Sequence, residues 1–291
     1  MEITSLQEYI NYVDGLTNRS LDMFVGGMFN VFRGQADVDW KLSPNLYRNG
    51  LFNAESLLLI HLKRICPEAF SYDRFETLVK MQHYGLPTRL LDVTLNPLVA
   101  LYFACNLEES KDGCVYVFKD VTGFWQKDPI VDLYMDYIYE QNPENIDLDE
   151  VLKKENNKYA RGQLGFRIKD VEKLKELYSR NVLLIIPDKT NDRIYAQDGA
   201  FFICGMTFEE SYKIPQKGKR YYNAAPIMLN NPEDICKTYD CLTIPAAKKQ
   251  AILEQLNKVG INESYVYPDI EHQIKFTVEN VKNRMLKRGT P

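Results

Sequence analysis

The run Met81-Gln82-His83-Tyr84-Gly85-Leu86-Pro87-Thr88-Arg89-Leu90-Leu91-Asp92-Val93-Thr94-Leu95-Asn96-Pro97-Leu98-Val99-Ala100-Leu101-Tyr102-Phe103-Ala104 carries a helix end, a polar cluster and the start of a second helix. A helical pattern over about 73–84 closes at Gly85 and Pro87, because glycine accepts a left-handed turn and proline cannot continue a helix. Asn96 and Pro97 then supply a capping side chain and a first-turn proline. The helix they open is apolar nearly all round, the pattern of a buried helix. Between the two helices lie Gln82, His83, Tyr84, Thr88, Arg89, Asp92 and Thr94, and every such group that leaves water needs a partner. His83 at a helix end suits proton transfer or simple stabilisation of the helix dipole. Arg89 and Asp92 are spaced to pair with each other through a tight turn.

Upstream, Ser5 with Glu8 three residues later forms a capping-box pattern for a helix over about 5–14. Met28 to Phe32 is a compact β-branched and aromatic run that reads as a strand turning at Arg33-Gly34. Pro44 makes residues 40–44 irregular, and a helix is expected over about 54–65. Downstream, 114–118 reads as a strand. Residues 121–180 are rich in tyrosine and helical spacing, with seven acidic against two basic side chains between Asp136 and Glu155. They are taken as a helical insertion, with a mobile acidic segment as the other reading. Strands follow at 182–186, across 193–204 and at 242–244, and helices over about 246–258 and 271–287. Strands interleaved with helices without regular βαβ spacing predict an α+β fold with a mixed, mostly antiparallel sheet and surrounding helices. One domain spans 1–291.

The 291 residues are 45% apolar and 26% charged, enough for a sizeable core. With 36 basic and 40 acidic side chains the net charge is −4, so bulk attraction to nucleic acid or anionic membrane is not indicated. A basic tail at Lys282, Arg284, Lys287 and Arg288 reads as a solvated helix end, although it leaves nucleic-acid contact open. No apolar run approaches the roughly 18–20 residues of a membrane span, and the first residues lack a signal-peptide pattern. Six cysteines without C-x-x-C spacing and three histidines (His61, His83, His272) argue against a disulfide scaffold or a metal site. The expectation is a cytoplasmic chain with reduced thiols.

Two further segments hold chemistry. Arg33, at a strand end beside Gly34, can present a planar fork of donors to a phosphate or carboxylate. It can equally form a buried structural ion pair. Gln197 and Asp198 interrupt the apolar run 193–202, with Gly199 permitting close backbone approach or a bulge.

Together these segments resemble the FRG domain family, named for Phe-Arg-Gly, here Phe32-Arg33-Gly34. The resemblance includes Trp40, Leu42 and Pro44, Gln82 to Asp92, Asn96-Pro97 to Ala104, Gln197 with Gly199 and Phe201, and Tyr267-Pro268-Asp269, over most of 25–280. A weaker resemblance joins Phe32-Arg33-Gly34 and Thr94 to Ala104 to ADP-ribosyltransferases, which carry aromatic-Arg-Gly on a first core strand and a Ser/Thr strand leading into a Pro-x-x-Ala-x-x-Phe-Ala helix. It implies an ADP-ribosyltransferase-like fold and NAD as a substrate. Arg33, Gly34, Tyr84, Arg89 and Thr94 are then the cofactor-binding residues and His83, Gln197 and Asp198 the catalytic ones, with no metal. Gln197 and Asp198 stand where such enzymes carry glutamate, with Asp269 and Glu271 as other sources of a carboxylate. The implied activity is ADP-ribosyl transfer, with a protein as possible acceptor, or NAD cleavage. Two other functions compete. One is a non-catalytic module of phage defence or stress response that reads a nucleotide or a protein tail. The other is a hydrolase or nuclease in which His83 and Asp92 do acid–base work.

Overall fold

Eight strands form in the computed structural model among the residues it describes, 1–16, 27–71, 73–158, 167–211 and 219–288. They are β1 (Met28–Gln35), β2 (Leu90–Thr94), β3 (Gly113–Trp125), β4 (Val182–Ile186), β5 (Gly199–Cys204), β6 (Met206–Ser211), β7 (Tyr221–Pro226) and β8 (Tyr239–Ile244). β1, β2, β5, β4 and β3 stand side by side, and β3 also pairs with β1, so these five close into a barrel. β6 and β7 form a separate antiparallel pair.

The closing strand is β3. Its first half, Gly113 to Phe118, pairs with β8, and Gly123 to Trp125 pair in parallel with β4. Asp120, with φ +55°, lies between the two halves. Only the β3–β4 pairing in this sheet is parallel, so the mixed, mostly antiparallel α+β expectation holds. Closure was not expected, because the sequence reading ended β3 at Phe118.

Strict alternation fills the barrel. Leu91 and Val93, Ala200 and Phe202, Leu184 and Ile186, and Cys114, Tyr116 and Phe118 share one cluster with Val31. Their chain neighbours Leu90, Phe201, Ile203, Leu183 and Ile185 pack in a second cluster. Phe32, Val115 and Val117 pack in a third. Successive side chains of a strand point to opposite faces, so the first cluster is the barrel interior and the other two lie outside. The larger outer layer holds the helices Glu55–Ile65, Arg74–His83, Pro129–Glu140 and Val171–Tyr178. Leu6–Asp14, Pro97–Cys105 and Ala246–Lys258 form the opposite layer.

Close approach explains the glycine of the Phe-Arg-Gly motif. A Cβ at Gly34 would lie 1.9 Å from the Ala100 carbonyl oxygen, and one at Gly113 would lie 2.1 Å from that of Ala104. Both glycines let the buried helix Pro97–Cys105 lie directly on β1 and β3. The expected caps form too: Asn96 accepts from Leu98 and Val99, and Ser5 accepts from Glu8.

Three expectations are corrected. β1 does not turn at Arg33-Gly34 but continues to Gln35. β3 runs to Trp125, into the region assigned to the helical insertion; helices follow at Pro129–Glu140, Leu148–Lys158 and Val171–Tyr178, and all three contribute to the main core. Residues Asp192–Gln197 are a helix, not the start of a strand. Asn191 caps it by accepting from the Ile194 amide, and Asp198 ends it in the left-handed conformation at φ +45°. The side chains of Arg284, Lys287 and Arg288 in the basic tail lie outside the described residues.

Candidate functional site

The barrel has one weak seam. β1 and β2 share a single register pair, Phe32 opposite Thr94. Arg33, two residues beyond the inward-facing Val31 and opposite Tyr116, sits beside this opening. Its Nη1 donates to the Asp92 carbonyl at 2.5 Å, across the seam. Its Nε is buried and has no hydrogen-bond partner. Burial lowers the pKa of this guanidinium, and the nearby Asp92 acts in the opposite direction.

On the outside of the seam the polar cluster of the helix end converges. The exposed Asp92 accepts through Oδ1 from Gln82 Nε2 at 2.8 Å. The Thr88 hydroxyl donates to Gln82 Oε1, so both atoms of the Gln82 side-chain amide are held. His83, the last residue of its helix, accepts at Nδ1 from Arg193 Nη1 at 2.7 Å. Partial desolvation and then the Arg193 charge push the His83 pKa down. Because Arg193 donates to Nδ1, the proton of the neutral ring sits on Nε2. Tyr84 stands beside it, 76% exposed and edge-on to the His83 ring at 5.2 Å.

Arg193 links this cluster to the chain around the last helix. Its guanidinium lies over the Tyr267 ring at 5.0 Å, and Tyr267 stacks on His272 at 4.6 Å with 16° between planes. His272 Nδ1 is 2.7 Å from Asp269 Oδ1. Burial opposes ionisation of Asp269, but the hydrogen bonds from the His272 ring and amide prevail and its pKa is lowered. Burial raises the Tyr267 pKa; Arg193 opposes this, and Glu263, Asp92 and Asp269 add to it. These contacts bring together the helix end at Gln82–Tyr84, the helix Asp192–Gln197 and the segment 267–272, and the surface between them is here called the groove.

The expected site residues divide sharply. His83 and Tyr84 stand at the helix end, whereas Arg33 shares the inward face of β1 with Val31 and reaches the cluster only through the Asp92 carbonyl. Gly34 does not meet a ligand, because the Ala100 carbonyl occupies the space its missing Cβ leaves. Arg89 is 1% exposed and lies in the core: its Nε donates to both Glu55 oxygens at 3.0 and 2.8 Å, Nη2 bonds Glu55 as well, and Phe52 and Tyr137 flank it. It pairs with Glu55, not Asp92, and is no cofactor contact. The Thr94 hydroxyl donates to the Gln197 carbonyl at 2.5 Å, and the Gln197 amide donates to the Val266 carbonyl at 3.0 Å. Both groups are committed to holding the groove wall. Asp198 pairs with Lys189 at 2.7 Å.

Sequence reasoning did not assign roles to Gln82, Arg193 or His272. Arg193 was hidden by the strand assignment of its segment. The i, i+3 spacing of Asp269 and His272 at a helix start was the available signal for the latter. Among the described residues no group of three or more His, Cys, Asp or Glu side chains gathers to hold a metal, and no helix is long and apolar enough to cross a membrane. All six cysteines are free thiols.

Residues 29–113 match the family model of the FRG domain. The match runs from β1 to the first residue of β3, a shorter span than the expected 25–280. It contains Arg33, Gln82, His83, Tyr84 and Asp92, while Arg193, Tyr267, Asp269 and His272 lie outside it. No curated protein and no solved structure matches the chain.

Proposed function

We propose that the groove over the β1–β2 seam binds a dinucleotide of the NAD class and cleaves its nicotinamide–ribose bond, by ADP-ribosyl transfer or by hydrolysis. The observation that carries this reading is the joining, at Asp92 within the FRG-matching stretch, of Arg33, which bonds its backbone carbonyl and keeps an unpartnered Nε, and an exposed carboxylate held by Gln82. Breaking that bond develops positive charge on the ribose, which a fixed carboxylate stabilises far better in a partly dry site than in water. Asp92 supplies the charge expected of Gln197 or Asp198, and Gln82 holds it in place. Arg33 and Arg193 would supply guanidinium groups to a pyrophosphate. Tyr84 offers an exposed ring face to a base, and His83 donates from Nε2 to a ribose hydroxyl.

The rival hydrolase, with His83 as the acid–base group, is disfavoured by the Arg193 contact that occupies Nδ1 and opposes protonation. The test is nicotinamide release from NAD by the wild type and by Asp92→Asn. Removing one preorganised electrostatic partner is expected to lower kcat by about 10²–10³-fold, with the melting temperature unchanged. Saturable NAD binding without release makes the groove a recognition module. Turnover of phosphodiesters that depends on His83, with NAD untouched, overturns the proposal.

A further inference from the structure

We infer that His272, oriented by Asp269, is the general base that deprotonates a hydroxyl acceptor, water or an alcohol side chain, in this groove; the inference rests on the NAD reading above. Asp269 precedes the helix Ile270–Arg288 and accepts through Oδ1 from the His272 amide at 3.2 Å. Capping alone needs only that bond. The same oxygen also meets the His272 ring at Nδ1, 2.7 Å away. An anionic partner at Nδ1 places the ring proton there and leaves the Nε2 lone pair as the acceptor. This is the division of labour by which a carboxylate orients a catalytic imidazole. Stacking on Tyr267 at 4.6 Å removes the ring's remaining freedom to tilt.

The two histidines of the groove are complementary. His83 accepts at Nδ1 and so donates from Nε2, whereas His272 donates from Nδ1 and so accepts at Nε2. Arg193 joins the two rings, donating to His83 and lying over the Tyr267 ring that stacks on His272, and Asp269 and His272 both act electrostatically on His83. Asp269 Oδ2 is buried without a partner, leaving the carboxylate with charge to spare for an imidazolium. Asp269 just before its helix and the Tyr267 ring lie against His272, Arg193 of the helix Asp192–Gln197 lies over the other partner, Tyr267, and His83 at the end of Arg74–His83 feels the His272 charge. Lys275, a turn onward, is drawn to Glu263 at 3.5 Å.

The step balances. The acceptor hydroxyl gives its proton to His272 Nε2, and its oxygen lone pair forms the new bond to C1 of the nicotinamide ribose. The pair of the breaking C–N bond goes to the ring nitrogen, which leaves as neutral nicotinamide. His272 then releases the proton to solvent. Asp269 is a positioning residue.

The experiment compares wild type, His272→Gln and Asp269→Asn for NAD affinity, kcat and the pH profile of kcat. Asparagine caps a helix as well as aspartate, so Asp269→Asn removes the charge and leaves the cap. For His272→Gln the expected results are unchanged NAD affinity, a kcat lower by about 10²–10⁴-fold and loss of the acidic limb of the profile. For Asp269→Asn the expected result is unchanged NAD affinity with a kcat below that of the wild type, since the imidazolium loses its anionic partner. A wild type that cleaves NAD beside an equally active His272→Gln with the same limb overturns this assignment alone. A wild type that neither binds nor cleaves NAD overturns the reading of the groove and this assignment with it.

Discussion

Arg33 and Arg89 are both arginines at the barrel wall, and their surroundings could hardly differ more. Arg89 is enclosed by Glu55, Phe52 and Tyr137, with its charge matched inside the protein. Arg33 has one bond to a backbone carbonyl at an open seam and a buried Nε left over. What separates them is a single acid, Glu55, delivered by a helix that packs over one sheet face and not the other. A guanidinium that the fold has already satisfied is architecture; one left partly unmatched beside a cleft is available to a ligand.

The largest expected effect comes from breaking the satisfied pair. Arg89→Ala strands the Glu55 charge in the core and should cost about 3–5 kcal/mol, read by chemical denaturation; a loss within experimental error would mean that the pair is not sealed. Gly34→Ala comes next. Its Cβ would collide with the Ala100 carbonyl, so β1 and the helix Pro97–Cys105 must separate, at about 1–3 kcal/mol. Arg33→Met removes one hydrogen bond, about 1 kcal/mol, yet should abolish NAD turnover. Equal stability losses at 33 and 89 would erase the contrast drawn between them.

A second comparison concerns two buried glutamates. Glu55 faces a guanidinium, while Glu155 is 1% exposed beside Asp136. Burial first, and then the Asp136 charge, push Glu155 up to about 7, although Lys158 opposes this. A carboxyl group whose folded pKa is raised binds more protons folded than unfolded between the two values, so stability falls as pH rises through that window. Denaturation midpoints of wild type and Glu155→Gln, which mimics the protonated form, should diverge in favour of the variant from about pH 4.5 to about 7 and then stay parallel. A constant gap across that range would show that Glu155 does not titrate there. The smallest effect belongs to Asp198→Asn, which removes a partly exposed pair with Lys189. It should change stability by only about 0–1 kcal/mol and leave turnover intact, whereas a catalytic Asp198 would make it inactive.

The local elements were legible where caps and punctuation state them. Ser5, Asn96-Pro97 and Gly85 mark helix boundaries at positions the structure repeats. Barrel closure was not legible, since it depends on β3 finding one partner for its first half and another for its last. The helix Asp192–Gln197 was missed because its mixed apolar residues fit a short strand as well as a helix turn, and the deciding signal was the Asn191 cap. In the site, residue type alone could not separate Arg33 from Arg89, because the distinction depends on Glu55, distant in sequence. The Arg193, Tyr267 and His272 contacts likewise join segments far apart in the chain. Arg33, His83, Tyr84 and Asp92 were legible as chemistry, but Thr94 and Gln197 were not recognisable as groups consumed by backbone carbonyls.

The central claim is tested most directly by calorimetric titration of NAD into wild type and Arg33→Met, with folding of both verified by thermal melting. The account predicts saturable binding by the wild type and its loss in the folded variant. Equal binding by the two proteins, or none by the wild type, would contradict it.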